Sequence, residues 1–145
     1  MSALAKALKL IWAAPCSVVG GVLGAGVVLL GGQVKPSHGT LEFTFRNSDE
    51  SCGKLSRSLP FRAITFGHVI IAVTENDLQH SREHELVHVR QYERWGMAFF
   101  VAYPASSLWQ LLRGRDAYWN NCFEIQARLL SRPSSDEMCS AGKLT

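Results

Sequence analysis

Apolar and polar residues alternate in this chain on three different scales, and each scale predicts a different element. The longest is an uncharged run from Leu10 to Leu30, a length that suits a membrane span of about 20 residues. Lys6 and Lys9 precede it, and Gly20, Gly21, Gly24 and Gly26 suit close helix packing in lipid. A cleaved signal peptide would need a shorter apolar core, and Pro15 before Cys16 argues against a lipoprotein signal. A span, or a Pro-kinked hairpin buried in one leaflet, is what remains. Lys6 and Lys9 on one side nearly balance Lys35 and Arg46 on the other, so charge does not set the orientation.

After this block the pattern shortens. Gly31-Gly32 and Pro36-Ser37-His38-Gly39 read as a linker. Leu41 to Arg46 alternates strictly between apolar and polar, the mark of a half-buried strand. Asn47 to Gly53 is a polar turn. Lys54 to Arg62, with Leu55 and Leu59 four apart, reads either as a short helix at a membrane surface or as a loop. Ala63 to Val73 is β-rich and nearly free of polar groups, which predicts one well-covered strand. Asn76 and Gln79 are spaced like a capping box, opening a helix from about Asp77 to Trp95 that Gly96 should stop.

The second apolar block, Met97 to Leu112, is short for a span and carries Pro104. The expectation is a bent helical segment that covers the core or dips into the interface, with Trp109, Arg113 and Arg115 near headgroups. A second span is the alternative. Asn120-Asn121 then opens a last helix in which Phe123, Ala127 and Leu130 recur at helical spacing. The fold class is therefore α+β: an N-terminal membrane helix or hairpin, a sheet of about two or three strands, and three helices. The expected boundaries are an anchor over 1–33, a domain over 34–132 and a flexible tail over 133–145.

Composition narrows the function only slightly. A chain of 145 residues is one domain by size. The net charge of +3 comes from bases interleaved with acids, which gives no reason to invoke nucleic acid and weakly favours membrane lipid. Cys16, Cys52, Cys122 and Cys139 show no C-x-x-C spacing, and Cys16 sits inside the apolar block, so a paired disulfide framework is not indicated and the redox compartment stays open.

The chemistry lies in His84-Glu85-Leu86-Val87-His88. Residues four apart stack on one helix face, so His84 and His88 can face one metal ion. Glu85 then projects beside the metal, where it could take a proton from a bound water. Glu124, 36 positions after His88, sits among apolar neighbours on the last helix and would complete a His₂Glu zinc site, with small Ala127 allowing close approach. This site requires the second apolar block not to cross the bilayer, since crossing would put Glu124 on the opposite side from the histidines. His68 is read as a hydrogen-bonded core histidine with ligation as the alternative, and His80 as helix surface.

The pairing of His84-Glu85-Leu86-Val87-His88 with Asn121-Cys122-Phe123-Glu124-Ile125-Gln126-Ala127 resembles the gluzincin branch of zinc metallopeptidases, over roughly Ile64 to Leu130. It is also similar to small membrane-associated bacterial proteins of that type. The resemblance implies a zincin-like core with Zn²⁺ held by His84, His88 and Glu124, and Glu85 as general base. It further implies a peptide or protein substrate lying in a cleft bordered by the strand before the motif helix, at a bacterial inner membrane. The chain departs from that pattern in its shortness, and no residue matches the Tyr or His that stabilises the tetrahedral intermediate; Tyr92, Tyr103 and Tyr118 are candidates by chemistry. Two other readings stand beside the peptidase: a membrane-tethered domain whose zinc is structural, and a domain with no metal.

Overall fold

A computed structural model describes residues 3–45 and 61–131. The polar turn after Arg46, the segment Lys54 to Pro60, Cys52, Cys139 and the expected tail lie outside the described residues. The chain is α+β. Helix α1 (Ala3–Leu29) leads into β1 (Gln33–Ser37) and β2 (Thr40–Thr44), followed by β3 (Ala63–Phe66) and β4 (Val69–Ala72). The long helix α2 (Glu75–Trp95) comes next, then a 3₁₀ turn (Gly96–Ala98), α3 (Phe99–Leu112) and α4 (Cys122–Leu130).

The sheet has four strands in the order β1-β2-β4-β3, more than the sequence pattern indicated. The β2–β4 pair is parallel and the other two are antiparallel. Two turns explain the additional strands. Ser37 pairs with Thr40 across His38-Gly39, and both turn residues have positive φ, 51° and 80°, as a type I′ hairpin turn requires. The expected linker is therefore the first arm of a hairpin. Phe66 pairs with Val69 across Gly67-His68, with Gly67 at φ 61°, the pattern of a type II′ turn. The expected single strand over Ala63 to Val73 is thus two strands folded back on each other.

The core is layered. Along β4, Val69 and Ile71 face α1 through a cluster with Val27 and Phe43, while Ile70 and Ala72 face α2 through a cluster with Leu78 and Val89. Helices cover both faces of β4, so its residues are buried without alternation. Beyond the end of the sheet, Ala13 and Cys16 of α1 meet Tyr92, Phe99 and Phe123.

Helix α1 runs unbroken through Pro15, which excludes the hairpin. Within it, Ala7–Leu29 is long and apolar enough to cross a membrane by length and composition. Its glycines act differently from the expectation. A Cβ on Gly20 would stand 2.7 Å from the Val69 Cβ, and one on Gly24 would stand 2.6 Å from the Phe43 ring. Gly20 and Gly24 therefore let the helix backbone close onto the sheet. Helix α3, at 14 residues or about 21 Å, is too short for the ~30 Å hydrocarbon core. It covers the core with Phe99, Phe100 and Tyr103, as a covering segment should.

Helix α2 starts two residues earlier than its sequence suggests. Its N-cap is Thr74, whose hydroxyl accepts from the Asp77 N–H at 3.0 Å and donates to the Asp77 carboxylate at 2.8 Å. Asn76 and Gln79 are ordinary helical positions. Gly96 ends the helix at φ 55°, with its N–H bonded to the Tyr92 carbonyl.

Candidate metal centre

Helix α2 carries His84 and His88 one turn apart, and α4 brings Glu124 against them. Asn121 fixes where α4 begins. Its Oδ1 accepts from the Phe123 N–H at 2.9 Å, and its Nδ2 donates to the Tyr103 carbonyl and the Ser107 hydroxyl. This fully buried asparagine caps α4 and pins it to α3 together. Ala127, fully buried, lets the two helices approach closely.

The three side chains converge. The two Nε2 atoms are 3.1 Å apart. One Glu124 oxygen lies 3.2 Å from His84 Nε2 and the other lies 3.3 Å from His88 Nε2. One ligand atom from each residue falls within 4.8 Å of the others. Ligand atoms at 2.0–2.1 Å around a tetrahedral ion are separated by roughly 3.3 Å. The observed contacts are on that scale.

Hydrogen bonding around His88 fixes its tautomer. Gln91 Nε2 donates to the Phe123 carbonyl at 3.1 Å and to Gln126 Oε1 at 2.8 Å, so Gln91 Oε1 can only accept. It lies 2.8 Å from His88 Nδ1, which must therefore carry the proton. In the neutral ring the Nε2 lone pair then points at Glu124 and His84. Glu124 Oε2 is buried and, among the described residues, makes no hydrogen bond; His84 Nε2 at 3.2 Å and the Arg128 guanidinium at 3.9 Å are its charged or polar neighbours. Converging lone pairs with an unsatisfied buried carboxylate oxygen fit a bound cation. Tyr103 donates to Glu124 Oε1 at 2.7 Å, orienting the carboxylate from α3.

The local electrostatics follow from this packing. Burial raises the Glu124 pKa, but His84, His88 and the Tyr103 hydroxyl outweigh it and hold the carboxyl well below its ordinary range. Burial works against charge on His88, yet Glu124 and Glu85 together hold its pKa above the usual value. Glu85, 5 % exposed, is pushed upward by burial, with His88 and the Thr65 hydrogen bond opposing. Burial first, and then Glu124, push Tyr118 up to about 12, so its phenol is protonated at neutral pH.

Glu85 is not one of the converging three. Its Oε2 accepts from the Thr65 hydroxyl at 2.7 Å, which fastens the carboxylate to β3. It nevertheless lines the same cavity of about 380 Å³ as His84, His88 and Glu124. Aromatic side chains of α3 and all of β3 form much of the remaining wall.

The other histidines lie elsewhere. His68 sits at the β3–β4 turn, where its backbone N–H donates to Ser17 Oγ and its Nε2 faces Glu93 at 3.4 Å. His80 is exposed and donates from Nδ1 to the Asn76 carbonyl. Thr65, Gln91 and the packing role of Asn121 were not foreseen from sequence. Gln91 alone left a usable signal, because it lies three positions after His88 on the same helix face. Comparison of the chain with protein-family models, with characterised proteins and with solved structures returns no match.

Proposed function

We propose that this chain is a membrane-associated, zinc-dependent peptidase with a zincin-like core. The observation that carries the reading is the shared cavity: a buried carboxylate, Glu85, faces the same space as the His84, His88 and Glu124 cluster. His84, His88 and Glu124 would hold the ion and leave a fourth position open. Zinc bound there would supply a water acidified toward a pKa of ~7 and a Lewis acid for a carbonyl oxygen.

The chain's own residues do the rest. Gln91 and Tyr103 hold His88 and Glu124 in their ligating orientations. Glu85, held by Thr65, takes a proton at its carboxylate and hands it to the leaving amine. Tyr118, half exposed and lining the cavity, would donate to an oxygen that gains negative charge. The substrate class rests on β3. It is an edge strand that, among the described residues, pairs only with β4, so its outer edge can take an extended peptide by strand addition.

A second reading has support of its own. Beside the packing of Phe123 on Tyr92 and Trp95, the contact between α2 and the nine-residue α4 includes the cluster and Gln91, so a metal there would also hold α4 in place. In that case the metal is structural. Glu85→Gln separates the two: the peptidase keeps its zinc and loses turnover by about 10²–10⁴-fold. Full activity of that variant on a peptide library, or a wild type that holds zinc but cleaves nothing, would overturn the catalytic reading.

A further inference from the structure

Helix α1 has an unusual arrangement of surfaces. Ala13, Cys16, Gly20, Gly24 and Val27 form one buried stripe about 21 Å long, and along it the helix touches all four strands, α2 and the 3₁₀ turn. The opposite side is apolar and, among the described residues, uncovered: Leu4, Leu8, Ile11, Val18, Val22 and Leu29 follow one another at helical spacing, each 58–88 % exposed. The exposed surface continues round both flanks, through Val19 and Leu23 on one and Leu10 and Val28 on the other. Lys9 turns inward to Glu93 at 2.8 Å, on the side of the domain.

We propose that α1 does not cross a bilayer but lies along its surface, half immersed, with the sheet and α2 carried on the water side. A crossing helix would take the sheet packed along residues 13–27 to hydrocarbon depth. There β1 would be an open edge, paired only with β2 among the described residues, carrying the exposed Gln33 and Lys35. Lipid does not accommodate an open sheet edge, because no water is present to satisfy its backbone groups. An in-plane helix has no such conflict. The docked domain takes the place of the polar face that an interfacial helix ordinarily carries in its own sequence.

The bare surface also selects its occupant. A partner helix, from a second copy or another protein, covers a single stripe roughly 100° wide. Here the apolar exposure runs from Leu23 round through Val22 to Val28, more than twice that width, which suits the acyl chains of a lipid leaflet. Trp12 stands at the rim of this surface, over half exposed, with its indole against Gly96. An amphipathic ring at that place suits the headgroup boundary.

The test is a depth measurement. Single cysteines are placed at Leu8, Val18 and Leu29, in a chain carrying Cys52→Ser, Cys122→Ser and Cys139→Ser, with Cys16 buried and left in place. Each is labelled with a small fluorophore, and the protein is reconstituted in vesicles of phosphatidylcholine and phosphatidylglycerol containing lipids brominated at different chain depths. If a label perturbs the fold by circular dichroism, Ile11 and Val22 serve as substitutes. Labels at one common shallow depth support the proposal. A Val18 label at the bilayer centre, with Leu8 and Leu29 about 30 Å apart near opposite surfaces, would establish a span and overturn it. Absence of lipid quenching at every position would also overturn it, since protein and not lipid would then cover the helix.

Discussion

Replacing Gln91 by leucine removes an amide that no ligand motif contains, yet the geometry makes it part of the site. The substitution keeps most of the side-chain volume and deletes three hydrogen bonds, at 2.8 Å to His88 Nδ1, 3.1 Å to the Phe123 carbonyl and 2.8 Å to Gln126 Oε1. His88 is buried, so its Nδ1–H is left without an acceptor, at a cost of about 1–3 kcal/mol. The ring can recover by moving that proton to Nε2, where Glu124 Oε1 waits 3.3 Å away. The new tautomer has no lone pair at Nε2, the atom that faces Glu124 and His84. Zinc binding must then reverse it, which should weaken affinity by about 10–100-fold, or roughly 1.4–2.7 kcal/mol. Competition with a chromogenic chelator, on detergent-purified wild type and Gln91→Leu, reads this directly. Near-ultraviolet circular dichroism of both proteins shows whether the variant keeps its packing. A folded Gln91→Leu protein with wild-type zinc affinity would refute the tautomer argument.

Other outcomes follow from the packing. Glu42 is 2 % exposed and receives two hydrogen bonds at 3.0 Å from Arg82, so Arg82→Ala leaves a buried carboxylate with no hydrogen-bond donor among the described residues. Urea unfolding should show a loss of about 3 kcal/mol, and a loss below about 1 kcal/mol would mean that water reaches Glu42 freely. Gly20→Ala drives a methyl to 2.7 Å from Val69 and 2.8 Å from Phe66 and should cost about 1–3 kcal/mol, whereas Gly21→Ala, with nothing within 4 Å, should be neutral or slightly stabilising. Equal stabilities for the two glycine variants would contradict the docking of α1 on the sheet. Tyr118→Phe should lower kcat while zinc content stays at the wild-type level, and unchanged kcat would remove Tyr118 from the mechanism.

The sequence was readable where one face of an element meets solvent and opaque where both are covered. The extent of α2 was legible from its ends, polar cap residues at Thr74 to Asp77 and Gly96 as the stop, and His84 and His88, four apart, fall together on it. Glu124 stood out as an acid among apolar neighbours after a capping asparagine. Ala63 to Val73 gave no alternation to break, because α1 covers one face of β4 and α2 the other; only Gly67, inside that run, marked the turn. Strand β1 was hidden for the opposite reason. Gln33 to Pro36 are all exposed, with nothing to bury and so no pattern, and they pair because the His38-Gly39 turn returns the chain onto them. Gln91 sits three positions after His88 on one helix, so its spacing was there to be read; Thr65 acts only across a tertiary contact, and no local spacing announces a hydroxyl on β3 that will hold Glu85 on α2.

Metal analysis of the purified protein beside Glu124→Ala and His84→Ala tests the central claim most directly. Stoichiometric zinc in the wild type, lost in both variants, is the predicted result. Zinc retained by Glu124→Ala would contradict the assignment of the third ligand, and a wild type with no more metal than the His84→Ala control would contradict the metal centre altogether.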